Sequence, residues 1–67
     1  LEAGYQAALA WKAQLESAGA TESCYDGMDL SNGPVGNYFC GYTLPNGYGA
    51  SITNGHGAVD LRVGPPL

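Results

Sequence analysis

Two cysteines, Cys24 and Cys40, bracket the stretch CYDGMDLSNGPVGNYFC, which is dense in turn-forming residues. A helical pattern precedes it and glycine-punctuated strand patterns follow it. A bond between the cysteines would therefore join two unlike halves. That constraint matters because the chain has only 67 residues. A single domain of this size buries about 60% of its unfolded surface, which leaves a marginal core. Small domains of this kind usually rely on a staple, a metal or a partner. Closing the loop between the cysteines contributes about 3 kcal/mol in the chain-entropy model. Typical net stabilities are only about 5–15 kcal/mol. Cys24–Cys40 is the expected pair, with a bond to a partner chain as the alternative. A metal site would need more ligands than His56 supplies, and a redox pair is more often spaced C-x-x-C.

Before the first cysteine, residues 3–18 (AGYQAALAWKAQLESA) read as one helix, rich in the strong helix formers Ala and Leu. At the helical period, Leu1, Gly4, Tyr5, Ala8, Leu9, Trp11, Leu15 and Ala18 share one half of the wheel. Lys12 lies at the edge of that arc, with its stem along the core and Glu16 one turn on as its expected partner. Gly19 is the expected stop. Gly4 and Ala8 are small enough to let the helix approach a sheet closely, and Trp11 is the expected largest contributor of buried area.

From Ala20 the period changes to two. Strands are expected at 21–25, 35–44, 48–53 and 58–63. The turn Pro45-Asn46-Gly47 carries the strong Asn-Gly hairpin signal. In the last strand Val59, Leu61 and Val63 should face inward, with Asp60 and Arg62 outward. The expected fold is α+β: one N-terminal helix packed on an antiparallel sheet of three to four strands, a two-layer sandwich with one disulfide, spanning 1–67 as a single small domain. The sheet face away from the helix would carry few charges and is wide enough for binding or subunit contact.

Charge narrows the possible partners. Lys12 and Arg62 are the only basic residues against six carboxylates, giving a net charge of −4. Nucleic acid is excluded as a partner, because binding it rests on Lys and Arg displacing counterions. Charged residues make up 12%, about half the usual share. Together with the two cysteines, this composition suits a secreted, extracellular protein. The chain opens on Leu1 and is read as a mature, processed product.

No cofactor or metal is expected, and the candidate constellations are weak. Glu22, Asp26, Asp29 and Asn32 could present oxygens to Ca²⁺, but they lack the EF-hand spacing and are more simply turn formers. A guanyl-type ribonuclease would need a carboxylate, an arginine and a histidine on neighbouring strands. Glu22 or Asp60, Arg62 and His56 are the available residues, yet one arginine holds a phosphate poorly. His56, between glycines, is expected in a solvated turn, and Asp60 and Arg62 as a surface pair. Ser51 has no base and orienting group to complete a triad. The chain is therefore expected not to be an enzyme. Tyr38 and Tyr42 recur on one strand face, with Tyr48 beyond the turn. Core or subunit packing is their expected use, and the three are also the candidate interaction surface for protein or carbohydrate.

Two segments, Gly4-Tyr5-x-x-Ala8-x-x-Trp11 and Gly33-Pro34-x-Gly36-Asn37-Tyr38-x-Cys40-Gly41-Tyr42, resemble the small secreted killer toxins of yeasts, nearest the two-subunit salt-mediated type. The resemblance implies an α subunit cut from a precursor. It also implies a second polypeptide from the same precursor, joined to this one in a heterodimeric α/β sandwich. The action it implies is damage to the membranes of sensitive yeast cells, without enzymatic chemistry. A secreted monomeric binding module or inhibitor is the alternative, and a small ribonuclease-like hydrolase the third. If carboxylates met at a subunit contact, they would share protons in acid and repel when ionised, so stability would fall between about pH 4 and 7.

Overall fold

A computed structural model of the chain describes residues 2–54 and 59–65. It shows one N-terminal helix packed against a four-stranded antiparallel sheet, with Cys24 bonded to Cys40. Helix α1 spans Glu2–Ser17. It ends where Gly19 takes a φ of 88°. Gly19 N donates to Glu16 O and Ala20 N donates to Leu15 O, both at 3.0 Å. This is a Schellman closure, and it needs a residue that tolerates the left-handed region. The chain then reverses directly into the sheet.

The strands are β1 (Thr21–Cys24), β2 (Tyr38–Thr43), β3 (Gly49–Asn54) and β4 (Val59–Gly64). They lie in the order β1-β2-β3-β4, so β1 and β4 are the edges. Between β2 and β3, Gly47 N donates to Leu44 O and Leu44 N to Tyr48 O. The Asn-Gly signal is thus realised as a three-residue hairpin loop. Strand β2 begins three residues later than the alternation from Val35 suggests. The amide of Asn32 donates to both Gly27 O (2.8 Å) and Asn37 O (2.6 Å), and Gly36 N donates to Gly33 O. These local bonds satisfy backbone that a longer ladder would otherwise use.

The core is Ala8, Leu30, Tyr38, Cys40, Tyr42, Ala50 and Ile52, all buried between helix and sheet. Leu30 comes from a short 3-10 helix, η1 (Leu30–Asn32), inside the disulfide loop. Asp29 caps this turn by accepting from Ser31 N, and Tyr5 on α1 donates to Leu30 O at 2.8 Å. The turn-rich loop is therefore a plug held down by the helix. The close approach expected at Gly4 is present. A Cβ there would lie 2.8 Å from Val59 Cγ2.

Trp11 is partly buried against the core, and Tyr38 is the largest fully buried side chain. One packing expectation is corrected. Val63 has the inward parity of Val59 and Leu61 but is 62% exposed. The helix leaves the far end of the β4 edge uncovered. Ala18 is also exposed, being past the last helical turn.

Candidate functional site

The two flanks of the helix differ. On the β1 side, Lys12 reaches Glu22 at 3.2 Å rather than Glu16. The same Glu22 Oε2 accepts from Tyr42 OH at 2.7 Å. Strand pairing sets Glu22 opposite Tyr42, so the tyrosine rises beside the carboxylate and the lysine closes over both. Burial, the hydrogen bond to Glu22 and its negative charge all push the Tyr42 phenol well above its ordinary value. This flank is closed by polar groups.

The other flank is open. Trp11, Gln14 and Leu15 of α1 face Leu61 and Val63 of β4 across a cleft of about 270 Å³. Its walls are mainly apolar, and it lies along an edge strand whose outer backbone groups have no neighbouring strand among the described residues. An edge of this kind is a template for pairing with another chain.

The sheet face away from the helix forms a second surface. Beyond Cys24, Tyr25 N continues the β1–β2 ladder by donating to Phe39 O. The rings of Tyr25 and Phe39 stack there, with centroids 4.6 Å apart and planes 4° from parallel. Across the sheet, Phe39 is paired with Thr53 and Thr53 with Asp60. The adjoining row runs Ser23, Gly41, Ser51 and Arg62. Arg62 Nε donates to Asp60 Oδ2 at 2.8 Å, which is the expected surface pair.

The candidate interaction surface of three tyrosines is not assembled. Tyr38 and Tyr42 are 1% and 3% exposed, because even-numbered residues of β2 face the helix. Only Tyr48, at the hairpin, remains exposed. The aromatic surface that does form uses Tyr25 and Phe39, which the tyrosine pattern passed over. Their sequence signal is adjacency: each sits next to a cysteine, so a Cys24–Cys40 bond brings both rings to one face.

Asp29 accepts from the Ser31 hydroxyl and amide, which holds its carboxyl below the ordinary 3.8. Asn32 spends its amide on Gly27 and Asn37, and Glu22 is engaged with Tyr42 and Lys12. The oxygens of Glu22, Asp26, Asp29 and Asn32 are therefore not gathered into a calcium set. Among the described residues, the cluster of three possible ligand atoms is Glu22, Cys24 and Cys40, and the disulfide leaves it no thiolate. Glu22 and Arg62 lie on opposite faces and opposite edges of the sheet, so they do not converge on one phosphate. His56 lies outside the described residues. Within the chain, Glu22, Asp29 and Asp60 each have a partner other than a carboxylate. Asp29 carries a pH dependence opposite in sign to the expected fall in stability between about pH 4 and 7. Its lowered carboxyl stabilises the fold above pH 3.8, and that contribution is lost as pH falls.

No family model, no curated protein and no solved structure matches this chain. No helix among the described residues is long and apolar enough to cross a membrane.

Proposed function

We propose that this chain is a non-enzymatic subunit of a secreted two-chain protein of the killer-toxin type. The open cleft at β4 carries this reading. A strand from the second polypeptide pairs with the free edge of β4, and one of its apolar side chains fills the space between Trp11, Leu15, Leu61 and Val63. The small core supports the reading, since a domain of this size gains most from a partner that extends its sheet. The disulfide fits an oxidising, extracellular setting. The resemblance to yeast killer toxins supplies the target, the membrane of a sensitive cell.

The test is the mass of the native secreted protein, by size exclusion with light scattering at pH 4, followed by growth inhibition of sensitive yeast. A complex with a second chain is expected, and Val63→Asp should dissociate it by placing a charge in the cleft. A lone monomer with full stability overturns the subunit reading. A two-chain complex that leaves yeast growth unaffected overturns the toxin role alone.

A further inference from the structure

We propose that the uncovered sheet face binds a neutral glycan, with a sugar ring stacked on the free face of Phe39. The hydroxyls of that ring engage Thr53, Ser51 and the Asp60–Arg62 pair. The site is on the opposite side of the sheet from the β4 cleft and does not depend on the two-chain reading.

The geometry begins with the aromatic pair. Tyr25 covers one face of Phe39 from the β1 side, yet the two residues remain 63% and 39% exposed. The other face of Phe39 is turned toward β3, where its partner is Thr53. Behind the rings, the neighbouring register pair is Cys24–Cys40, bonded and packed into the core. The disulfide thus fixes the two strands directly beneath the platform. Such preorganisation lowers the ordering cost of binding.

The floor beside this wall is low and polar. Gly41 adds no side chain, and Thr53 and Ser51 present hydroxyls. The far side is the exposed pair on β4, with Arg62 and Asp60 side chains 83% and 51% exposed. Strands are spaced about 4.8 Å apart, so β2 and β4 stand about 10 Å apart. That width accommodates a pyranose ring laid against an aromatic face, with its hydroxyls directed toward the far strand.

The chemistry matches a polyol. Asp60 spends one oxygen on Arg62 Nε, leaving carboxylate acceptor capacity and further guanidinium donors side by side. Adjacent hydroxyls of a sugar each donate and accept, so they complement such a pair. The apolar C–H face of the ring complements the negative face of Phe39. Charge selects against anions: the net charge is −4, and the other cation, Lys12, is held by Glu22 on the opposite face.

The experiment is a heteronuclear NMR titration of the ¹⁵N-labelled secreted protein. The probes are neutral oligosaccharides of glucose, mannose and N-acetylglucosamine, with heparin as the anionic comparison. At least one neutral probe should give saturable shifts at Tyr25, Phe39, Thr53 and Arg62, with a Kd of about 1 mM or tighter. Phe39→Ala should weaken binding at least about tenfold. Phe39→Leu, which keeps apolar volume, should do the same while the circular dichroism spectrum is unchanged. Val63→Asp should leave glycan binding intact even where it dissociates a partner, which separates failure of this site from failure of the subunit reading. The proposal is overturned if no neutral probe saturates, if heparin alone binds, if the shifts map to Trp11 and Leu61, or if Phe39→Leu binds like the parent. Any of these would leave the Tyr25–Phe39 stack as a cross-strand stabiliser of the sheet only.

Discussion

Tyr42 donates its phenol proton to Glu22 Oε2 at 2.7 Å, across the β1–β2 pair and under the reach of Lys12. The neighbouring core phenol, Tyr38, is just as buried, but its hydroxyl has no hydrogen-bond partner among the described residues. Two tyrosines on one strand face thus make opposite demands on their oxygens. Removing a bonded hydroxyl loses the interaction, whereas removing an unbonded buried one relieves a desolvated group. Tyr42→Phe should therefore cost about 1 kcal/mol, and Tyr38→Phe should leave stability unchanged or raise it. For a domain of this size 1 kcal/mol moves Tm by about 4–8 °C, well within the reach of thermal melts. A larger loss from Tyr38→Phe than from Tyr42→Phe would contradict the assignment.

The same phenols govern alkaline stability. Burial is the first cause that raises both, and for Tyr42 the bond to Glu22 and its charge add to it. The folded state therefore holds these protons more tightly than the unfolded chain, where the ordinary value is 10.0. The stabilisation is fully present below pH 10 and is lost as pH rises toward the folded values. Urea midpoints should fall steeply above pH 10, and less steeply in Tyr42→Phe. A parent and variant with parallel profiles would contradict it.

Reduction tests the staple. Cys24 and Cys40 are direct register partners, and Cys40 is fully buried. Converting both to alanine should cost about 3 kcal/mol from loop entropy, a large part of the stability of so small a core. Loss of near-ultraviolet circular dichroism at 37 °C in the double variant is the expected readout. Retained tertiary signal with an unchanged urea midpoint would show that the sheet closes without the bond.

Gly4 and Val59 should show a reversal of sign. Glycine inside a helix costs about 1 kcal/mol relative to alanine. Here, however, a Cβ at Gly4 would come within 2.8 Å of Val59 Cγ2. Valine is stiff about χ1 and does not readily rotate away. Gly4→Ala should destabilise the parent by about 1–3 kcal/mol through overpacking. In a Val59→Ala background the same change should stabilise. A double-mutant cycle by urea unfolding measures this coupling, and additive effects would mean that the helix is free to shift.

Much of the fold could be read from the chain because its signals are local. Alanine-rich periodicity placed α1, Gly19 its end, Pro45-Asn46-Gly47 the hairpin, and the two cysteines the staple. Each depends on neighbours within a few residues or on a covalent option. Alternation also put Tyr38 and Tyr42 on one face of β2, and the packing of α1 made that face the inner one. That burial removes them from the interaction surface on which the tyrosine pattern had placed them.

What the sequence could not decide was how far the helix reaches across the sheet. Lys12 pairs with Glu22 because α1 lies where the β1 flank comes within its reach.

 Glu16 is the nearer acid along the helix, and it is the packing of α1 on the sheet that brings Glu22 to 3.2 Å. The same packing leaves Trp11 and Val63 partly open, although both carry the hydrophobic pattern of core residues.

The sequence by itself determined the element order, the disulfide and the pairing of Tyr38 with Tyr42 on one strand face, because periodicity, turn chemistry and a covalent bond act over short range. Only the tertiary structure decided which surfaces remain free: the cleft between Trp11 and Val63, and the Tyr25–Phe39 stack above the disulfide. Free surface is a property of how one helix covers a four-stranded sheet, and that coverage is set by long-range contacts such as Gly4 with Val59 and Lys12 with Glu22.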